Sequence, residues 1–339
     1  MQLRCAANPR MQSQFSALVS LRFRKSGCSS TTDHLRRALL LFLILSGQAF
    51  GAGLTPYAQL VIVDTIAKSR DGIRVTYLGT NGYEFELKDH ALLVDPYFSR
   101  VDLSSVALGS RIQPDISRID EGMRHLRPKL DAILVTHGHF DHLLDVPILM
   151  SKTHTRLLAS ASSVDVAKRA GALWGEPVTA GNVRRIGPWT IRVLAATHDR
   201  LFGKVPFDKH GPRASGPPRR AADWICGEPL AFLIEANGQR IYVDSGGTPG
   251  QLPPSTHVDL AILGMALPDS RARLRAALQR LKPAYILPSH QDDFFLPLRQ
   301  GFQFGLLTDF PRVQRECAQE NRGRLILLDY FQSWTLPRQ

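Results

Sequence analysis

From Ile73 onward, apolar residues fall into short runs whose period shifts between two and about 3.6, which predicts strands interleaved with helices. "IRVTYLG", "YEFEL" and "ALLVDPYF" come first and predict neighbouring strands joined by tight turns, one of them at Asn81-Gly82. "LDAILVTH" is an apolar run of strand length, followed by a predicted helix near "VPILMSK" and another over "SSVDVAKRAG". "WTIRVLAATHD" reads as a further strand. "LAFLIEANGQRIYVDSGG" sets two β-rich arms around Asn237-Gly238, a strong hairpin signal because both residues tolerate positive φ. "VDLAILGMA" predicts a strand, "SRARLRAALQRL" a helix opened by a cap at Ser270, and "AYILPSH" a further strand. Strands and helices occur in both halves without an internal repeat, which predicts an α/β protein of two sheets in four layers, α-β-β-α.

A chain of 339 residues with 44% hydrophobic content can bury one large core. Its leading segment is of another kind. Arg36 and Arg37 precede an apolar run from Ala38 to Leu45 and then small residues, the order of a secretory signal peptide. That run is far short of the roughly 20 apolar residues that span a bilayer. Cleavage around Ala49 to Ala52 and export, periplasmic or secreted, are therefore expected, with residues 52–339 as a single domain free of transmembrane segments. A retained anchor, or a cytosolic protein starting downstream, is the alternative. Formal charge is +12, but the first 51 residues hold seven of the 42 basic and one of the 30 acidic residues, so the remainder carries +6. Basic residues there are not interleaved with aromatics, which argues against a nucleic-acid partner and leaves attraction to an anionic small molecule. Cys226 and Cys317 permit one disulfide, and with no CxxC pair a structural zinc ribbon has no support. Residues 203–220, rich in Gly, Pro and basic side chains, predict a long surface loop.

Candidate chemistry lies at the strand ends. "LVTHGHFDHLLD" places His137, His139, Asp141 and His142 within six positions, directly after an apolar strand, in a chain with 11 histidines. Alternation along an extended chain puts His137 and His139 on one side, and a turn must follow for Asp141 and His142 to face back. Imidazole nitrogens suit zinc, iron and other borderline ions, and the carboxylate adds a hard oxygen donor. The spacing is not that of the one-helix HExxH site. Further donors close other predicted strands: His198, Asp244 and His290.

In these motifs the sequence resembles the metallo-β-lactamase superfamily, in its broad hydrolase sense, from Ile73 to Phe295. The resemblance implies a metallo-β-lactamase-type four-layer αββα sandwich, with Asp95 of "LLVDPYF" as an early structural aspartate. It implies two divalent metal ions, zinc first, with manganese or iron as alternatives. His137, His139 and His198 would hold the first ion, Asp141, His142 and His290 the second, and Asp244 would bridge them. Zinc enzymes that destroy antibiotics typically carry another residue where this chain has Asp244, so the resemblance points away from a true β-lactamase. It points instead to class II glyoxalases, tRNA-processing phosphodiesterases, ascorbate-6-phosphate lactonases and N-acyl phosphatidylethanolamine phospholipases. The opening "YLGTNGYEFEL" with "LLVDPYFSR" looks most like the last two groups.

Two metals sharing a hydroxide supply a nucleophile at neutral pH, and the chain has no GxSxG serine. The expected activity is binuclear, metal-dependent hydrolysis of an ester, lactone or phosphodiester, with Asp141 as the catalytic residue that orients the nucleophile and takes its proton. Asp95, Asp131 and Asp145 are candidates to accept the second ring N–H of a bound histidine. Arg200, Lys204, Lys209, Arg213, Arg219 and Arg220, with His210, form either a lid over an anionic substrate or a solvated loop. Phe294, Phe295, Phe302 and Phe304 form either core or an apolar wall for an acylated substrate. A mono-iron dioxygenase on the same fold is the alternative within the family. A non-catalytic binding protein is the alternative outside it, and it sits poorly with a ligand at every position.

Overall fold

Alternate residues of the same strands enter two different cores, and that division builds the molecule. The computed structural model describes residues 53–62, 72–208, 216–246 and 257–338. The chain divides into two units, Met1–Ala49 and Phe50–Gln339, and the described residues all belong to the second. The expected leader over 1–51, and Lys209, His210 and Arg213, lie outside the described residues. Among those described, no helix is long and apolar enough to cross a membrane.

One seven-stranded sheet runs in the order β14 (Ser333–Thr335), β1 (Arg74–Gly79), β2 (Gly82–Leu87), β3 (His90–Val94), β4 (Ala132–Leu134), β5 (Arg156–Ala159) and β6 (Glu176–Pro177). Pairing is antiparallel from β14 to β3 and parallel from β3 to β6. The other runs β13 (Arg324–Leu325), β12 (Tyr285–Ser289), β11 (Leu260–Gly264), β10 (Gln239–Val243), β9 (Leu230–Ala236), β8 (Trp189–Ala195) and β7 (Val183–Ile186). Its β10 to β13 pairs are parallel and its β7 to β10 pairs antiparallel. Parallel neighbours need crossovers, and helices supply them. Between β3 and β4 lie α1 (Leu103–Leu108) and α2 (Ile116–Met123). The short α3 (Phe140–Leu143) and α4 (Val146–Thr153) join β4 to β5, and α5 (Ala161–Arg169) follows β5. On the second sheet α6 (Pro268–Leu281) joins β11 to β12, and α7 (Phe310–Glu320) joins β12 to β13.

Leu92, Val94, Ala132 and Leu134 share a core with Ile191, Val193, Phe232 and Ile241 of the second sheet. Their neighbours Ala91, Leu93, Ile133 and Val135 share another with Leu143, Leu149, Val164 and Ala167 of the helices. Burial on both faces is why β3 and β4 read as unbroken apolar runs rather than as an alternation. Two sheets flanked by helices form the αββα sandwich expected from the sequence.

Two local expectations are corrected. Helix α6 starts at Pro268, with Leu267 at the N-cap and no side-chain cap; Ser270 is inside the first turn, its buried hydroxyl without a partner. Proline's fixed φ favours the first helical position, and this outweighs the weaker serine signal. The first hairpin turns at Thr80–Asn81, one residue earlier than expected, because Gly82 already pairs with Gly79. A Cβ on Gly82 would come within 2.8 Å of the Gly79 carbonyl, so that glycine serves close packing inside the strand. Asn237 (φ 51°) and Gly238 (φ 78°) do form the predicted two-residue turn between β9 and β10.

Candidate metal centre

His137 is the third residue after β4, and the chain must leave the strand there. Gly138 allows it: its N–H donates to the Cys226 carbonyl at 3.0 Å, and a Cβ would stand 2.4 Å from the Ile225 carbonyl oxygen. His139, extended at φ −64° and ψ 155°, is the N-cap residue of α3, so Asp141 and His142 fall in the first helical turn. Its carbonyl accepts from the backbone N–H of His142 and Leu143, which fixes that turn. His198 follows β8, and His290 follows β12 with a left-handed φ of 52°.

Six side chains gather from these places into two groups, His137 with His139 and His198, and Asp141 with His142 and His290. Within each group the donor atoms lie within 4.8 Å of one another. His137 Nε2 is 2.9 Å from His139 Nδ1 and 3.2 Å from His198 Nε2. Asp141 Oδ2 is 3.0 Å from His290 Nε2 and 3.4 Å from His142 Nε2. The rings of His137 and His142, with centroids 4.0 Å apart, join the groups.

Outer partners settle which nitrogen of each ring faces inward. His137 Nδ1–H donates to Thr136 Oγ1 (3.1 Å), whose own hydroxyl donates to Asp95 Oδ2 (2.6 Å). His139 Nε2–H donates to the Pro206 carbonyl (2.8 Å), and His198 Nδ1–H to the Asp199 carbonyl (2.7 Å). Three inward nitrogens then meet as bare lone pairs, an arrangement that fits a bound cation and offers no proton to share. Burial, and then neighbouring histidines, hold His137 and His139 well below the ordinary imidazole range and bring His198 down to about 3. Neutral imidazole is the metal-binding form. In the second group burial opposes a charge on His142, but Asp141 and Asp95 push it up to about 10. Burial also resists ionisation of Asp141, yet His142 and His290 hold its carboxyl well below the ordinary range.

Asp95 is placed as an outer support, with Oδ2 2.9 Å from His142 Nδ1. The other two candidate supports are not. Asp131 is bound to His90 Nδ1 (3.0 Å) and Trp189 Nε1 (2.9 Å), and Asp145 accepts from the N–H groups of Phe98 (2.6 Å) and Ser99 (2.8 Å). Both carboxylates brace backbone and core instead of a candidate ligand. Asp244 is fully buried at the end of β10 but stands outside both groups. Its Oδ1 accepts from Gly246 N (3.0 Å) and Gly264 N (3.3 Å), and its Oδ2 from Tyr242 Oη (3.0 Å). Oδ2, which accepts from Tyr242, keeps a lone pair for a further bond.

A cavity of about 480 Å³ opens beside His198, lined also by Arg200, Val205, Asp208, Cys226 and Arg273. Of the basic residues expected to form either a lid or a solvated loop, Arg200 lines this cavity, while Arg219 and Arg220 donate backbone N–H to Asp223. Phe294 meets the His290 ring edge-on at 5.0 Å, whereas Phe302 and Phe304 belong to the inter-sheet core. Cys226 and Cys317 are both buried free thiols, so the disulfide that two cysteines permitted is not formed. Sequence reasoning missed Thr136, Arg273 and Phe207, the last 6.0 Å from the His139 ring. Only Thr136, adjacent to the histidine motif, carried a local signal.

Comparison with known proteins bears on the family and the fold. A UPF0173 metal-dependent hydrolase of Desulforamulus reducens is 24% identical over 224 residues, covering 64% of this chain and 84% of the relative. A ribonuclease Z of Bradyrhizobium is 31% identical over 174 residues, covering 43% of this chain and 56% of the relative. Among solved structures, the metallo hydrolase Igni18 of Ignicoccus hospitalis superposes with a TM-score of 0.53 at 16% identity, over 79% of this chain and 99% of that one, a likeness of fold. Residues 90–286 match the family described as Beta-lactamase superfamily domain, more than half of the chain, and the protein therefore belongs to the β-lactamase superfamily.

Proposed function

We propose that the protein is a metal-dependent hydrolase holding two divalent ions, zinc first among them, in the groups His137–His139–His198 and Asp141–His142–His290. The single observation behind this is the fixed direction of the first three rings: each anchors one N–H outward, and the inward nitrogens meet at 2.9 and 3.2 Å with nothing to donate. The metal-dependent hydrolases among its relatives support the reaction class. Ions bound there would lower the pKa of a water molecule and polarise the bond to be cleaved.

The chain's own residues do the rest. Asp141, whose Oδ2 lies 3.0 Å from His290 Nε2 and 3.4 Å from His142 Nε2, is proposed as the catalytic residue that orients a water and receives its proton. Asp244 is proposed as the seventh ligand through the remaining lone pair of Oδ2. Arg200 beside His198 suits a small substrate with an anionic group, Arg273 being ion-paired with Asp199, and Phe294 and Phe207 suit an apolar one. The bond is proposed to be an ester, lactone or phosphodiester. Export is proposed from Arg36, Arg37 and the apolar run that follows them.

Elemental analysis of the purified protein, run beside a panel of an aryl phosphodiester, a lactone, an acyl ester and a β-lactam, tests the reading. About two zinc or manganese ions per chain, with chelator-sensitive turnover of one of the first three, is the expected result. A single iron without hydrolysis would replace this reading with a mono-iron oxygenase.

A further inference from the structure

We infer that the turn Thr80–Asn81 between β1 and β2 is a positioning element for the second donor group, with Asn81 setting the aim of His142 through Asp95. The inference rests on the reading of Asp141, His142 and His290 as metal ligands. Asn81 Nδ2 donates to Asp95 Oδ2 at 2.8 Å, and the same oxygen is 2.9 Å from His142 Nδ1. Asn81 is fully buried and its Oδ1 has no partner, so the amide is placed there for the bond it donates. Thr136 supplies a backbone N–H to Asp95 Oδ1 (2.8 Å) and a hydroxyl to Oδ2 (2.6 Å). With those two donors Asn81 completes a three-point clamp, and the carboxylate loses its freedom to rotate away from His142.

The neighbouring residue reaches the other histidine. Thr80 accepts from the backbone N–H of His290 at 2.7 Å and from Ser289 Oγ at 3.1 Å. Its own N–H donates to Asp292 Oδ1 at 2.9 Å, two residues beyond His290. Asp292 is in turn fixed by the buried guanidinium of Arg100 (2.7 Å) and by Tyr330 Oη (2.7 Å). Thr80 makes these contacts at φ 55°, a conformation a β-branched residue rarely adopts, and such departures concentrate where geometry is functional. His142 comes from the first sheet's strand end and His290 from the second's. One turn of two residues touches the supports of both, Thr80 through its backbone and Asn81 through its side chain.

If the turn positions that group, its loss should weaken one metal site and spare the other. Metal-stripped full-length wild-type, Asn81→Ala and Asn81→Asp chains are titrated with zinc against a chromophoric chelator, with thermal melts of the stripped proteins in parallel. Asn81→Asp keeps the size of the side chain and so the packing of the turn, while placing a like charge against Asp95. The expected result is two zinc affinities in wild type and, in Asn81→Ala, one of them weakened by about tenfold with the other unchanged. Asn81→Asp should weaken the same site at least as much. Two wild-type affinities in both variants overturn the inference, as does an equal loss at both sites accompanied by a lowered melt of the stripped chain. A wild-type chain that takes up no zinc overturns the metal-dependent reading itself.

Discussion

Between the two histidines of the HGH motif there is no room for a side chain. The Ile225 carbonyl oxygen would stand 2.4 Å from a Cβ at Gly138, and Ser163 Oγ 3.2 Å away, so the backbone of 137–139 would have to move. Gly138→Ala should cost about 1–3 kcal/mol in urea unfolding of the metal-stripped protein, the range for overpacking, and should weaken zinc binding as well, since both flanking residues are candidate donors. A Gly138→Ala chain as stable as wild type would show that the Ile225 segment yields. Glu84 offers a pH test away from the centre. Burial pushes its carboxyl from about 4.5 up to about 7, with the Arg127 N–H bond (2.7 Å) only partly offsetting it. The folded chain therefore holds the proton more tightly than the unfolded one, and stability falls as pH rises from about 4.5 towards 7 and stays lower above it. Glu84→Gln should melt higher than wild type at pH above about 7 and lose that advantage near pH 4.5. Parallel melting curves across that range would contradict the assignment.

Helix starts and turns show how local signals compete. Asp102, Asp115, Ser160 and Asp309 each accept from the backbone N–H three residues ahead and cap α1, α2, α5 and α7. Helix α6 lacks such a cap and relies on Pro268. Ser270→Ala should therefore leave stability unchanged or raise it slightly, because the serine hydroxyl is buried without a partner. Loss of a true N-cap would instead cost about 1 kcal/mol by chemical denaturation. The turns divide in the same way. Asn237-Gly238 is a hairpin in both sequence and structure, because both residues take the positive φ that a two-residue turn requires. At the first hairpin the polar network around Asp95 claims Asn81, and the turn settles one residue earlier.

The assembled sandwich brings the two donor groups together from three strand ends, those of β4, β8 and β12, so metal and fold are thermodynamically linked. Removing metal with a chelator should lower the melting temperature, and zinc should restore it. A ligand that binds only the folded state at a thousandfold excess over its Kd contributes about 4 kcal/mol. Differential scanning fluorimetry with and without chelator measures this, and an unchanged melt would mean that the groups hold no ion under those conditions. The core shared by the sheets explains why the centre can tolerate so many buried polar groups. Unbroken apolar runs on β3 and β4 fix the strands from both faces, and the ligands need only occupy their ends.

Strand identity, the four-layer class and all seven candidate donors could be named from the chain alone, and the structure gathers six of them into two groups. Period-two burial and the clustering of His137, His139, Asp141 and His142 are local properties, and local properties survive without knowledge of partners. The other donors were legible because each closes an apolar run, a place where a side chain can be held rigidly. Tertiary structure alone decided which carboxylate supports a histidine. Asp95, Asp131 and Asp145 look alike in sequence, yet strand order takes Asp95 to His142, Asp131 to His90 and Asp145 to Phe98 and Ser99. It likewise tied Asp244 to Tyr242, gave His139 the Pro206 carbonyl, and turned Thr80–Asn81 into a joint between the sheets. The physical reason is that a residue's own φ, ψ and burial preference are encoded locally. Its hydrogen-bond partner, often more than a hundred positions away, exists only once the strands have been ordered.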